Sequence, residues 1–336
     1  MKTFRIIGFA LMAVLMCVAC SNGLDEPQLE VEAGKTYEVS LNLGGDYIDV
    51  SETPLSRADE PKKYYAINVF CMKTDGSEAS YTSYASGVFD NTEAMKITLL
   101  GGYKYNFVCT SVVEGVDKFY TKDNYLYWPS TNAVHQNNIN KFITRGSFSN
   151  LGSGRVCYQY LYSASYNYYP QMDRYYGLTK EYIPTEGGTV TIPMKRCVFG
   201  VKVKVNGVPD GTLSWDFSHF NMNKRSHSGS EILECSSIYT FEDVSYCWEK
   251  AVAGVDYTQT FTINFTWKRS NSYTQTFSKQ FTVKRNVMST INVTLTGGSE
   301  EIGVGVDEER SEMINETTDV TFDGGSLNDT EVNPTE

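Results

Sequence analysis

One pattern constrains this chain more than any other: apolar and polar residues alternate strictly, in segment after segment. Cys197, Phe199, Val201, Val203 and Val205 share one phase, with Lys202 and Lys204 in the other. Phe261, Ile263, Phe265 and Trp267 repeat it, as do Val190, Ile192 and Met194 and the closing Val287, Ile291, Val293 and Leu295. Earlier in the chain the same phase holds Tyr37, Val39, Leu41 and Leu43, then Ile67, Val69 and Cys71, then Met95, Ile97 and Leu99, then Tyr103, Tyr105, Phe107 and Cys109. Successive side chains of a strand point to opposite faces, so a period of two means strands with one buried face. Helical periodicity is nearly absent. Tyrosine, at 24 residues, adds strand propensity. Turn residues separate the segments: Gly44-Gly45-Asp46, Thr74-Asp75-Gly76-Ser77, Gly101-Gly102, 206–211 and Asn271-Ser272. The expected fold class is all-β, with antiparallel strands packed as sandwiches.

The 336 residues suffice for two domains that each bury a core. Pro184-Thr185-Glu186-Gly187-Gly188 marks the expected boundary, giving an N-terminal sandwich over 21–185 and a C-terminal one over 186–298. The segment 51–61, with two prolines and mixed charge, reads as an exposed loop. The net charge of −11 resides in 299–336, where twelve acidic residues face one Arg. That tail is poor in large apolar residues and reads as mostly disordered, with Val320-Thr321-Phe322 its one hint of a strand. The rest is neutral and shows no basic stripe, so nucleic acid is not an expected partner.

The first twenty residues read as a secretory signal. Lys2 and Arg5 form a basic head, the apolar run 6–18 is too short to span a bilayer permanently, and Val18-Ala19 precede Cys20. Processing before a cysteine is the pattern of a bacterial lipoprotein, with acyl chains such as palmitate on Cys20 anchoring it to a membrane; a plain signal peptide cut nearby is the alternative. Several chains anchor stably, since each buried methylene adds roughly 0.8 kcal/mol. Cys17 stands where a lipobox usually has Leu.

Six further cysteines, Cys71, Cys109, Cys157, Cys197, Cys235 and Cys247, permit three disulfides in an exported chain. Cys71, Cys109 and Cys197 fall in the apolar phase of strands and read as buried thiols. Cys235 and Cys247 flank a short segment and are the best disulfide candidates. His135, His219 and His227 have no ligand spacing, so neither metal nor cofactor is expected. No G-x-S-x-G, H-E-x-x-H or phosphate-binding glycine loop occurs, and an enzyme is not expected. A tyrosine-dense stretch offers an aromatic binding surface at Tyr158, Tyr160, Tyr162, Tyr168 and Tyr169, with Trp128, Trp215 and Trp248 elsewhere. Such rings stack on sugars, so a surface glycan-binding lipoprotein is the alternative function. Tyrosines alternating along a half-packed sheet are the simpler reading.

Three features together resemble the fimbrillin-like lipoproteins of Gram-negative gut and oral anaerobes. They are the lipoprotein signal with its short polar tether, the loop Glu52-Thr53-Pro54-Leu55-Ser56-Arg57-Ala58, and Lys284-Arg285-Asn286 leading into Ile291-Asn292-Val293-Thr294-Leu295. The resemblance implies two transthyretin-like β-sandwich domains and a surface-exposed fimbrial subunit or accessory adhesin. It also implies maturation by an arginine-specific protease between Arg57 and Ala58, loss of the strand region 29–43, and a groove filled by a strand from another subunit. That is β-augmentation, in which a new strand satisfies open backbone groups while alternate side chains fill pockets. The implied partners are the outer membrane, other fimbrial subunits or a second copy, and host or glycan ligands. For the donor strand, the acidic tail offers few apolar residues, and Val287 to Leu295 reads as an integral strand.

Overall fold

The structure, a computed structural model, describes residues 34–45, 62–115, 119–127, 133–157, 166–217, 225–270, 273–297 and 302–312. Cys20, Arg57, Ala58, Tyr158, Tyr160 and Tyr162 lie outside them, as do Trp128 and the hint of a strand at Val320-Thr321-Phe322.

The described chain is all-β with one helix. The first sheet has eight strands: β1 (Thr36–Gly45), β2 (Lys63–Lys73), β3 (Thr82–Phe89), β4 (Lys96–Leu100) and β5 (Tyr103–Val113) come first in the chain. Three short strands, β6 (Tyr120–Lys122), β7 (Tyr125–Tyr127) and β8 (Ala133–His135), form a separate small sheet before β9 (Lys141–Thr144) returns to the first. After the two-residue pair β10 (Val156–Cys157) and β11 (Tyr166–Asn167) come β12 (Asp173–Tyr182) and β13 (Thr189–Arg196). The spatial order is β4-β1-β13-β12-β5-β2-β3-β9. The sheet curls on itself, because Val39, Leu99 and Ile192 from one end share a core with Ile67, Ala85 and Phe107 from the other.

The second core lies between two four-stranded sheets. One is β17-β14-β20-β21 and the other β16-β15-β18-β19, built from β14 (Val198–Val205), β15 (Val208–Phe217), β16 (Arg225–Gly229), β17 (Leu233–Thr240), β18 (Thr258–Lys268), β19 (Thr274–Lys284), β20 (Val287–Gly297) and β21 (Ile302–Glu312). The alternation decides what goes inside. Val201, Val203 and Val205 on β14 are buried, as are Phe261, Ile263, Phe265 and Trp267 on β18. Lys204, in the outward phase, meets its cross-strand neighbour Glu234 at 3.3 Å. α1 (Val244–Val252) lies between β17 and β18 in the chain. Asp243 caps it, its carboxylate accepting from the Tyr246 N–H at 2.9 Å, and Val244, Cys247 and Trp248 are its buried residues.

Three expectations change. Pro184 to Gly188 is not the crossing between domains but the turn of the β12–β13 hairpin, with the Gly188 N–H donating to the Thr185 carbonyl at 3.1 Å. The chain leaves the first sheet at Arg196 and enters the second core at Val198, so the passage falls at Cys197 rather than at 185/186. In the acidic tail, 302–312 form β21, paired along its whole length with β20 from Gly297↔Ile302 to Val287↔Glu312. Backbone pairing requires no large apolar side chain, so the composition of this segment did not reveal it. α1 also departs from the near-absence of helical periodicity, with Asp243 as its cap and apolar Val244, Cys247 and Trp248 at i, i+3 and i+4.

Gly211 has φ +80°, and a Cβ there would overlap the Lys268 carbonyl. Beside it the Trp267 indole N–H donates to the Asp210 carbonyl at 2.6 Å. Replacing Gly211 by Ala therefore places a side chain in the left-handed region and pushes β15 from β18. A loss of about 1–3 kcal/mol is expected for the backbone strain alone. A urea midpoint within error of the parent protein's would contradict this.

Candidate functional site

Two places could carry function: the slot that β1 occupies, and a cleft at the joint between the cores.

β1 is an inserted strand. Its first half pairs antiparallel with β4, from Thr36↔Leu100 to Ser40↔Lys96, and its second half pairs parallel with β13, from Ser40↔Thr189 to Gly45↔Met194. The pattern Tyr37-Glu38-Val39-Ser40-Leu41 dictates its orientation, since Tyr37, Val39 and Leu41 are buried and Glu38 and Ser40 are exposed. Gly44 and Gly45 allow the strand end to run close to β13, because a Cβ on Gly45 would overlap the Met194 carbonyl. Side-chain ties at its start are superficial: Lys35 meets Glu186 at 3.3 Å with both groups well exposed, an ion pair that contributes little. β1 is thus held by backbone pairing and by three buried apolar side chains, each contributing about 1.5–3 kcal/mol when fully buried, with the half-buried Leu43 packed beside them. Of the strand region read as removable, 29–43, the described part starts at Gly34 and continues into β1. The alternative donor run from Val287 to Leu295 is the central strand β20, between β14 and β21, with Ile291, Val293 and Leu295 in the core. It cannot leave without dismantling the second core.

At the joint, 148–155 link the first sheet to the start of α1. The buried Arg174 guanidinium donates from Nε to the Thr110 hydroxyl and from Nη2 to the Leu151 carbonyl, both at 3.0 Å. Burial lowers its pKa to about 10, which leaves it charged at neutral pH. The Gly152 carbonyl accepts from the Val244 and Ser245 N–H groups at 2.9 and 3.1 Å, and the Gly154 N–H donates to the Glu242 carbonyl at 2.7 Å. Arg155 donates from Nε to Glu242 Oε1 at 2.8 Å, with Nη2 on the same oxygen, and lies 4.7 Å over the ring of Tyr168. Next to these contacts lies an open cleft of 760 Å³, lined among others by Phe70, Phe148, Asn150, Arg155, Glu242 and Asp243.

The expected aromatic surface is only partly one. Tyr168 is exposed, but Tyr169 is a core residue, edge-on to Phe261 at 5.0 Å. Burial, with Glu242 adding to it, raises the Tyr169 pKa to about 12. Trp215 and Trp248 are buried too, the latter donating its indole N–H to the Pro193 carbonyl at 2.8 Å. The expected Cys235–Cys247 bridge is not present, and both thiols are free. Cys235 lies half-buried on β17 opposite Val203, whereas Cys247 is buried in α1 against Cys197, the contact that short chain separation could not indicate. Among the described residues no group of three or more His, Cys, Asp or Glu could hold a metal ion.

No protein-family model matches the chain, and no curated protein matches it. Several solved structures are similar to it. One is described as a "putative cell adhesion protein" from Bacteroides eggerthii, at 11% identity and a TM-score of 0.39, covering 84% of this chain and 98% of that one. Others are the fimbrial anchor protein Mfa2 of Porphyromonas gingivalis, at 9% identity and 0.35 over 83% and 100%, and the tip fimbrial protein Mfa3 of the same organism, at 9% and 0.31 over 82% and 99%.

Proposed function

We propose that this chain is a lipid-anchored, surface-exposed structural subunit or accessory adhesin of a fimbria, built from transthyretin-like sandwiches and assembled by strand exchange. Cys20 carries the anchor at the outer membrane, and the bond between Arg57 and Ala58 is the maturation site. The role is structural rather than enzymatic, and the partners are other fimbrial subunits or further copies.

The observation that supports this best is the placement of β1 between β4 and β13. A cut at Arg57, between β1 and β2, leaves β1 joined to the body by non-covalent contacts alone. Its departure strips the β13 edge from Thr189 to Met194 of its partner and empties the places of Tyr37, Val39 and Leu41. An open edge above an apolar trough binds an extended strand with apolar residues at every second position. Ile302, Val304 and Val306 have that spacing, and β21 lies at the border of its sheet.

The test uses soluble protein starting at Ser21, treated with an arginine-specific protease and followed by intact mass and size-exclusion chromatography. Cleavage after Arg57, then growth into detergent-resistant ladders that Arg57→Ala abolishes, is the expected result. A resistant Arg57 bond, or a cut protein that stays monomeric, overturns the strand-exchange reading. The second reading, a glycan-binding lipoprotein, draws on the cleft at the joint with Arg155 and the exposed Tyr168 nearby. It requires a monomer whose saccharide binding falls when Tyr168 or Asn150 becomes Ala.

A further inference from the structure

We propose that Cys197 and Cys247 form a disulfide that ties α1 to the joint between the two cores.

Cys197 is the one residue between β13 and β14, where the chain passes from one core to the other. Its backbone is fixed on both sides: its N–H donates to the Arg174 carbonyl at 2.8 Å, and its carbonyl accepts from the Phe241 N–H at 3.2 Å. Its thiol reaches the Val244 carbonyl at 3.4 Å, in the first turn of α1. Cys247 stands three residues further along that helix, so the two share a face. The Cys197 thiol is the neighbouring group that acts on the Cys247 thiol, and both residues have no exposed surface. α1 is itself held by the Asp243 cap and by the Trp248 bond to Pro193.

The other described thiols have no such neighbour in reach of the same kind of contact. Cys71 and Cys109 belong to the other core, where they stand opposite Tyr105 and Ile67 rather than each other. Cys235, on β17, stands opposite Val203, half-buried against the second core. Arg285 acts electrostatically on Cys247, and a nearby cation favours the thiolate that exchange requires. Burial opposes this and raises the Cys247 thiol strongly, so the reaction belongs to folding or to a transient opening.

The step needs an oxidant, which is a second disulfide. One thiolate attacks it and forms a mixed disulfide, releasing the first thiol of the oxidant. The other thiolate then displaces the second. Two protein S–H groups become one S–S bond, and the oxidant is reduced to two thiols. The closed loop spans about fifty residues, a length at which a disulfide strongly restricts the unfolded chain.

The test refolds the reduced chain from Ser21 with glutathione disulfide, or with a phosphine reductant throughout. Free thiols are then alkylated under denaturing conditions, and peptides are mapped by mass. The expected result is a linked peptide pair containing Cys197 and Cys247, with Cys71, Cys109 and Cys235 alkylated. The Tm of the oxidised protein should exceed that of the reduced one by about 5–15 °C, a difference that Cys247→Ser removes. Alkylation of both Cys197 and Cys247 after oxidative refolding overturns the proposal, as does a bridge from either to another cysteine. The peptide map is made on the unsubstituted chain, so it decides even if Cys247→Ser does not fold.

Discussion

Replacing Asp173 by Ala is expected to cost about 3–5 kcal/mol of stability, because it strands a buried charge. Arg196 has 2% of its side chain exposed and donates from Nε and Nη2 to the two carboxylate oxygens of Asp173, each at 2.8 Å. A planar guanidinium on a carboxylate in this two-bond arrangement is the strongest form of ion pair. The same guanidinium reaches Asn286 Oδ1 at 3.2 Å, in the turn between β19 and β20, and the Arg196 carbonyl accepts from Arg285 at 3.1 Å. The pair therefore sits where the two cores touch, one residue before Cys197. Since the penalty comes from a buried cation deprived of its carboxylate, Asp173→Ala combined with Arg196→Met should lose much less than the sum of the two single changes. Urea unfolding of the four proteins measures this. A loss below about 1 kcal/mol for Asp173→Ala would mean that water reaches Arg196 and screens it.

A loss of similar size, about 3–5 kcal/mol, is expected for Phe199→Ala. Phe199 is fully buried at the centre of the second core's aromatic cluster. Its ring stacks on Tyr239 at 5.7 Å and on Phe261 at 5.5 Å, and it meets Phe241 at 4.7 Å and Tyr169 at 6.2 Å. Truncation removes the transfer energy of the ring and leaves a cavity that four rings on different elements cannot close together. Phe199→Leu keeps most of the volume and should lose roughly half as much or less. Equal losses for Leu and Ala would show that ring-on-ring geometry, not volume, carries the effect. Tyr169 belongs to this cluster although it precedes β12 of the first sheet, so the truncation should loosen the joint as well as the second core.

Much of the architecture was legible in the sequence because alternation is a local property. The phase of Val201, Val203 and Val205, or of Phe261 to Trp267, states which side of a strand is apolar, and a sheet in water must bury that side. Turn chemistry is equally local: Gly76 and Gly102 have the positive φ that their turns demand. The all-β class, most strand positions and the buried thiols of Cys71, Cys109 and Cys197 follow from such rules. Strand order does not. Nothing in the sequence of β1 says that half of it pairs with β4 and half with β13, because backbone groups are the same in every strand. The turn at Pro184 to Gly188 had the composition of a linker, yet only the sheet decides whether a polar turn joins two domains or two strands of one. Tyr168 and Tyr169 differ in fate through the elements that happen to cover them. The thiol beside Cys247 likewise comes from about fifty residues away, while the nearer Cys235 stands on β17 opposite Val203. Local chemistry determined the elements and their buried faces. Which edges, cores and thiols meet was left to the tertiary structure, where contact depends on position in space and not on separation along the chain.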